Sequence, residues 1–246
     1  MGEFNDKVVL VTGGTSGIGG ATVSLLAHDG ATVIAVGRNE QQGYEKMSEL
    51  SKYRSEVCYF KADVSVSDDI KRIRDFIVEK YGRLDALFNN AGILLTDALE
   101  DIDDDEWDRS YDVNVKATLH MCQTFMPMLQ KSHGVILNNA SINGLHTYIK
   151  GKKSYMYATS KAALIQLTRY LAKNYAPDVR VNALCPGITK TNLFTNRDFS
   201  RFDNTNLLGR MAEPEEIAKV AAFLLSEDSS FMTGSIVVAD GGETIK

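Results

Sequence analysis

Short runs of β-branched and other apolar residues alternate with longer amphipathic segments along the whole chain. The apolar runs predict strands, at residues 8–11, 32–36, 57–61, 86–89, 134–137, 180–184 and 236–238. The amphipathic segments repeat their apolar positions with a helical period and predict helices, at residues 17–28, 40–51, 67–81, 103–130, 157–176 and 213–226. Because strands alternate with helices, we expect an α/β fold whose parallel sheet carries helices on both faces and right-handed crossovers.

The chain has 246 residues, enough for one large α/β domain, and contains no internal repeat or proline-rich linker. We therefore expect residues 1–246 to form a single domain. Because the net charge is −5, nonspecific binding to nucleic acid would lack its usual electrostatic attraction. No apolar run has the length that a bilayer crossing requires. We expect neither nucleic acid nor a membrane as a partner.

Cysteine and histidine usage bears on location and on metal binding. Cys58, Cys122 and Cys185 are odd in number and widely spaced, which is typical of reduced thiols. The sequence also enters its first strand soon after the N-terminus. We therefore expect a cytoplasmic protein. The four histidines show no metal-ligand spacing, so we expect no metal cofactor.

A glycine-rich turn links the first predicted strand to the first predicted helix. Glycine lets the main chain approach a phosphate closely, and the free N–H groups of a helix start favour its negative charge. The turn therefore predicts a site for the pyrophosphate of a dinucleotide, although a purely structural turn is the alternative. The candidate contacts are Gly13, Thr15, Ser16, Gly17, Ile18 and Gly19.

The end of the second strand bears on the choice between NAD and NADP. An acid normally accepts a hydrogen bond from the ribose of NAD at this place, but here Gly37 is followed by Arg38. A guanidinium can bind a 2′-phosphate, so we favour NADP(H) over NAD(H). The alternative is that Arg38 covers the adenine or faces solvent. Asp63 and Val64, after the third strand, are expected beside the adenine, unless Asp63 caps a helix.

Tyr157 and Lys161 lie four residues apart in a predicted helix and so share one face. A nearby ammonium stabilises tyrosinate and lowers the pKa of a phenol, which suits general acid/base catalysis. An isolated pair of this kind would more often be a structural pair on a helix surface. Tyr155 has Thr159 as its fourth neighbour and lacks the cation.

An ordered set of motifs resembles the short-chain dehydrogenase/reductase family, in its compact single-domain branch. The motifs are Thr12-Gly13-x3-Gly17-x-Gly19, Asn89-Asn90-Ala91-Gly92, Asn114, Ser141, Tyr157-x3-Lys161, Pro186-Gly187, Thr191 and Asp240-Gly241-Gly242. The resemblance covers nearly the whole length. It implies a Rossmann-like, doubly wound, seven-stranded parallel sheet and a bound nicotinamide cofactor.

The resemblance also implies roles for individual residues. Tyr157 would exchange a proton with the substrate oxygen, and Lys161 would lower the phenol pKa and bind the nicotinamide ribose. Ser141 would donate a hydrogen bond to the substrate oxygen, and Asn114 would hold a water that connects Lys161 to solvent. The expected cofactor contacts in the remaining loops are Asn90, Ala91, Gly92, Pro186, Gly187, Ile188 and Thr191.

These residues predict an NADP(H)-dependent oxidoreductase that interconverts a secondary alcohol and a ketone. A 3-oxoacyl thioester, a steroid, a polyol and a small ketone are all open as substrates. A non-catalytic NAD(P)-sensing regulator on the same fold is the alternative, and a sugar-nucleotide epimerase is disfavoured by the glycine spacing. By resemblance, the helices at 103–130 and 157–176 would pack against a second subunit, so we expect a homotetramer or homodimer.

The connection between Ser141 and Tyr157 is longer than the resemblance leads one to expect, and it carries Lys150, Lys152 and Lys153. If these lysines attract an anionic substrate, replacing all three with serine should raise KM for a charged substrate several-fold. The kcat value and the kinetics of a neutral ketone should not change, because exposed charge acts mainly on encounter. Steady-state kinetics at low and high salt test this. Equal effects on both substrates, or none, would leave the lysines a role in solubility.

Overall fold

The computed structural model describes residues 4–53, 55–146, 154–193 and 204–246. Within them, parallel strands form one seven-stranded sheet in the order β3-β2-β1-β4-β5-β6-β7. The strands are β1 Val8–Thr12, β2 Thr32–Gly37, β3 Val57–Lys61, β4 Ala86–Asn89, β5 Val135–Asn139, β6 Arg180–Pro186 and β7 Ile236–Ala239. This confirms the predicted fold class. The Lys150–Lys153 loop lies outside the described residues.

Helices connect successive strands and cover both faces of the sheet. They are α1 Gly17–His28, α2 Glu40–Leu50, α3 Ser67–Lys80, α4 Asp104–Tyr111, α5 Ala117–Ser132, α6 Tyr155–Tyr175 and α7 Pro214–Leu225. No helix within the described ranges has both the length and the apolar character needed to cross a membrane.

Strand β1 shows how the apolar runs produce two cores. Successive side chains of a strand point to opposite faces of the sheet, so a buried parallel strand must be apolar throughout. Val8 and Leu10 pack in the cluster that includes α3 and α5, whereas Val9 and Val11 pack in the cluster that includes α1 and α7. Both faces of the central strands are therefore buried in apolar clusters, and this packing keeps the ends of the strands in a fixed register.

The helix predicted over residues 103–130 is present as an uninterrupted helical stretch over residues 104–132, but it is not α-helical throughout, which the sequence did not predict. Between α4 and α5 the chain forms a π-helical turn, Asp112–Lys116. A π turn fits an extra residue into the helix and rotates the side chains that follow it. Here it buries Asn114, which is 1% exposed. Helical periodicity does not reveal such an insertion, because apolar residues continue on both sides of it.

The helical spacing of Trp107, Tyr111 and Val115 predicts that these side chains face the core rather than contact the cofactor. Trp107 instead remains 36% exposed and stacks on Tyr111 with 5.1 Å between ring centroids. The π turn begins directly after Tyr111, so the spacing from Tyr111 to Val115 does not describe one face, whereas Trp107 precedes the turn and its exposure has another origin.

A buried chain of polar side chains ties α6 to the sheet. Asn138 is fully buried and donates from Nδ2 to Thr168 Oγ1 of α6 at 2.9 Å. Its Oδ1 accepts a 2.9 Å hydrogen bond from Asn89 Nδ2 of β4. Buried polar groups are costly unless paired, so these bonds specify how α6 sits on β4 and β5.

We predict that Asn138→Ala lowers the free energy of unfolding by about 2–4 kcal/mol, because it leaves a cavity and breaks both hydrogen bonds. Urea denaturation measures this change. Thr168→Val removes the bonds of Thr168 Oγ1 with Asn138 and with the Leu164 carbonyl oxygen, but it keeps the Asn89–Asn138 bond and nearly the same volume, so it should cost less. If Asn138→Ala is no more destabilising than Asn174→Ala on the exposed face of α6, the polar chain does not hold the helix.

Candidate active site

A cavity of about 1300 Å³ lies at the carboxyl ends of the central strands. From β1 the chain moves outward to β3 and then returns to β4, so the loops after β1 and β4 diverge and leave a crevice. The cavity is lined by most of the residues predicted from sequence, namely Gly13, Thr15, Ser16, Gly17, Ile18, Arg38, Asp63, Val64, Asn90, Ala91, Gly92, Ser141, Tyr157, Lys161, Pro186, Gly187, Ile188 and Thr191. Gly19 and Asn114 are buried behind its wall.

The glycine turn is shaped by close backbone contacts. A Cβ atom on Gly19 would lie 2.3 Å from the Gly13 carbonyl oxygen and 2.4 Å from Asn90 Nδ2. Gly13 and Gly17 both have positive φ, at 63° and 55°. Residues with side chains fit none of these positions without strain, so the glycines are required by the turn itself.

The start of α1 is suited to an anion. Its N-cap residue, Ser16, makes no side-chain capping hydrogen bond to the described residues, and the first turn contains no acid. The N–H groups at this helix end thus lack the usual capping acceptor, and Ser16, Gly17 and Ile18 at this end line the cavity. A pyrophosphate fits this donor set, which is what the glycine turn predicted.

Asn90 fastens the glycine turn to the end of β4. Its Nδ2 donates to the carbonyl oxygens of Thr12 at 3.0 Å and Gly13 at 3.2 Å. In return, Thr12 Oγ1 accepts hydrogen bonds from the main-chain N–H groups of Asn90 and Ala91, both at 3.0 Å. The two loops that would hold a dinucleotide are therefore one hydrogen-bonded unit.

At the far end of the cavity, Arg38 faces Asp63. Arg38 Nη1 is 3.6 Å from Asp63 Oδ2, and the arginine side chain is 61% exposed. Burial of Asp63 opposes its ionisation, but hydrogen bonds from Ser65 and the charge of Arg38 hold the pKa of its carboxyl below the usual value. Helix α3 has Val66 as its N-cap, so Asp63 does not cap that helix.

Ser141 immediately precedes a short 3₁₀ turn, residues Ile142–Gly144, which packs on α6. Its Oγ accepts a 3.2 Å hydrogen bond from the main-chain N–H of Asn143. A Cβ atom on Gly144 would lie 2.7 Å from the main-chain carbon of Lys161, so glycine is needed for this close approach. The turn therefore fixes Ser141 relative to Tyr157 and Lys161.

Tyr157 lies in the first turn of α6 and is 8% exposed. Burial raises the pKa of its phenol to about 12, and a hydrogen bond with the Ser141 side chain opposes that rise. We predicted a lowered pKa from the neighbouring lysine, and that direction is wrong for the polypeptide by itself. Lys161 Nζ lies 5.6 Å from the centroid of the ring, and the rise in the pKa of Tyr157 comes first from burial.

Lys161 is 3% exposed, and burial lowers the pKa of its ammonium to about 8. Its Nζ donates to the main-chain carbonyl oxygen of Asn139 at 2.6 Å. Within the described ranges, no carboxylate lies within ion-pairing distance of it. This lysine can therefore gain or lose a proton closer to neutral pH than an exposed one.

Asn114 approaches Lys161 from the π turn. A Cβ atom on Gly92 would be 3.1 Å from Asn114 Oδ1 and 3.4 Å from Lys161 Nζ. The amide of Asn114 bonds Ile93 through both main-chain groups, at 2.9 Å and 3.0 Å, and Ser160 Oγ at 3.0 Å. Asn114 Oδ1 and Lys161 Nζ thus both border Gly92, while the expected water relay stays a prediction.

The sequence reasoning missed Asn139 and the apolar side of the cavity. Asn139 is the last residue of β5, and its main-chain carbonyl oxygen accepts the hydrogen bond from Lys161 Nζ. In the sequence it belongs to no recognisable motif, so nothing marked it as a site residue. The apolar lining residues that were missed come from separate loops and helices and include Ile93, Leu94, Val113, Ile142 and Leu193. Only the folded chain brings these side chains into the cavity that Ser141 and Tyr157 also line.

Known proteins are similar to this chain in sequence and in fold. The family profile described as Enoyl-(Acyl carrier protein) reductase matches residues 13–244. A cyclopentanol dehydrogenase of Comamonas testosteroni is 36% identical, with 99% of each chain covered. A 3-oxoacyl-(acyl-carrier-protein) reductase of Thermotoga maritima is 37% identical and covers 99% of this chain and 100% of its own.

A solved structure agrees with this grouping. A short-chain type dehydrogenase/reductase from Mycobacterium marinum has a TM-score of 0.94 and 30% identity, with 99% of this chain and 98% of that chain covered. The glycine turn, the fold and the relatives lead to one conclusion: this chain belongs to the short-chain dehydrogenase/reductase family of NAD(P)(H)-dependent oxidoreductases.

Proposed function

We propose that this protein is an NADP(H)-dependent oxidoreductase that interconverts a secondary alcohol and a ketone, with Tyr157 as general acid/base. The observation that carries the proposal is that Ser141, Tyr157 and Lys161 line the same cavity as the glycine turn. A proton donor, a hydrogen-bond donor and a cation thus lie beside the site expected for a dinucleotide. A protein that only sensed the cofactor would not need this arrangement.

The nicotinamide cofactor supplies or accepts the hydride when it is bound. In the direction of reduction, Tyr157 Oη donates a proton to the carbonyl oxygen, and a pKa of about 12 keeps the phenol protonated for that step. Ser141 Oγ donates a hydrogen bond to the same oxygen as it gains negative charge. The tyrosinate left behind is stabilised by Lys161 and by the N-terminal end of α6.

Arg38 supports NADP(H) as the cofactor. It lines the cavity at the end of β2, and its exposed guanidinium meets Asp63 only at the edge of ion-pairing distance. A 2′-phosphate is a stronger partner for a guanidinium than such a long, partly solvated pair. No carboxylate stands at position 37 to repel that phosphate.

The aliphatic part of the cavity lining favours a substrate with an apolar body. Ile93, Leu94, Val113, Ile142 and Leu193 contribute aliphatic surface, and among the described lining residues Arg38 and Lys161 supply the cations. The relatives include a cyclopentanol dehydrogenase and a 3beta-hydroxysteroid dehydrogenase, whose names specify alcohols. We therefore place uncharged cyclic and open-chain ketones first among the substrates to assay, and 3-oxoacyl thioesters second.

Tyr157→Phe should lower turnover by about 10²–10⁴, because the variant loses an essential proton donor. Dissociation of NADP(H) should stay within a few-fold of wild type, since only the phenolic oxygen is removed. Absorbance assays with a panel of ketones measure the first effect, and fluorescence titration measures the second.

Tyr155→Phe is the matched control for this variant. Tyr155 lies two residues earlier in α6 and is 46% exposed, so its phenol should not contribute to turnover. A Tyr157→Phe enzyme with more than half of wild-type activity contradicts the assignment. A wild-type protein that binds NADP(H) but reduces no ketone and oxidises no alcohol supports the regulator instead.

Arg38→Ala should raise the dissociation constant of NADPH about five- to tenfold and leave that of NADH unchanged, because only NADPH carries the 2′-phosphate. Calorimetric titration of both nucleotides tests this. Adding an acid at position 37 is a poor converse test, since a Cβ there would lie 2.8 Å from Thr15 Cγ2. Equal losses for both nucleotides, or tighter wild-type binding of NADH, contradict the role of Arg38.

A further inference from the structure

Asn139 connects the two halves of the site. It is the last residue of β5, it lines the cavity, and it comes two residues before Ser141. Its main-chain carbonyl oxygen accepts the 2.6 Å hydrogen bond from Lys161 Nζ. Its side chain turns to the other half and donates from Nδ2 to Asn90 Oδ1 at 2.9 Å.

The orientation of the two amides is determined by the main chain. Asn90 must direct its NH₂ group at the carbonyl oxygens of Thr12 and Gly13, because a carbonyl can only accept a hydrogen bond. The Oδ1 atom of Asn90 then faces Asn139, which must donate to it. The hydrogen bonds therefore run in one direction, from Asn139 through Asn90 to the glycine turn.

This arrangement leaves one amide oxygen without a partner. Asn139 Oδ1 is shielded from solvent and accepts no hydrogen bond from the described residues. A buried, unpaired acceptor is unfavourable for folding, and an aliphatic side chain of the same size would avoid it. The asparagine is thus better explained by what its NH₂ group does for Asn90 than by a contribution to stability.

Asn90 is packed so closely that its orientation matters to the turn. Cβ atoms built on Gly13 and Gly19 would lie 2.9 Å and 2.4 Å from Asn90 Nδ2. If the amide rotated by half a turn, its oxygen would face the two carbonyl oxygens and repel them. The turn would then have to move away from the position in which it receives a pyrophosphate.

We propose that Asn139 is a positioning residue for dinucleotide binding: its NH₂ group orients the Asn90 amide, which holds the glycine turn in its binding conformation. This inference deepens the proposed function, on whose cofactor site it rests. The main-chain carbonyl of Asn139 also holds Lys161 through a hydrogen bond. A movement of this strand end would therefore displace both Lys161 and Asn90.

The decisive variant is Asn139→Asp, which keeps the size of the side chain but cannot donate when it is ionised. We expect the dissociation constant of NADP⁺, measured by calorimetry at pH 8, to rise about tenfold, the effect of one lost hydrogen bond to a polar group. As the pH falls towards 5, the carboxylic acid regains a proton that it can donate. The affinity should then approach that of wild type at the same pH.

Two further variants make the result specific. Asn139→Leu removes the donor at every pH, so its affinity should be weak and its ratio to wild type should not change with pH. Asn174→Asp adds the same charge on the exposed surface of α6 and should match wild type throughout. Circular dichroism and melting temperature without nucleotide establish that each variant is folded.

The outcomes separate this inference from the proposed function. Binding within twofold of wild type by both the Asp and the Leu variants overturns the role of Asn139 and leaves the proposed function intact. An Asp variant that stays as weak at pH 5 as the Leu variant also overturns it, because the loss would not come from the donor. A wild-type protein that binds neither NADP⁺ nor NAD⁺ overturns the proposed function itself.

Discussion

Burial of Lys161 beside a carbonyl oxygen is the constraint around which the site is built. An ammonium that is 3% exposed must be hydrogen-bonded, and Asn139 supplies its acceptor at 2.6 Å. Gly92 and Gly144 allow the loops after β4 and β5 to approach this lysine without a side chain in between. Because no described carboxylate neutralises it, burial brings the pKa of the lysine down to about 8.

The buried amides extend this constraint to the rest of the molecule. Asn138 fixes α6 on β5 through Thr168, and Asn90 fixes the glycine turn on β4. The Asn90 amide has a definite orientation because the main-chain carbonyl oxygens of Thr12 and Gly13 can only accept a hydrogen bond. The strands therefore present the turn, the serine and the helix as one rigid group, which suits a reaction that depends on the distance between a proton donor and a hydride carrier.

Several features were predicted correctly from local patterns. The apolar runs located all the strands to within two residues at each end, because a strand buried on both faces must be apolar along its length. The glycine turn was located because its backbone dihedrals exclude other residues. One error arose where a property depends on neighbours distant in sequence. The raised pKa of Tyr157 is of this kind, whereas the π turn at Asp112–Lys116 was missed because the apolar pattern continues on both sides of it.

By itself, the sequence determined the order of strands and helices, the parallel sheet and the residue types at the ends of β1, β4, β5 and β6. These follow from periodicity and from backbone restrictions that act within a few residues. Only the tertiary structure decided which of those residues touch, as in the contact of Asn139 with Asn90 and Lys161. It also decided the protonation behaviour of Tyr157, because desolvation depends on everything that is packed around a group and not on the group's neighbours along the chain.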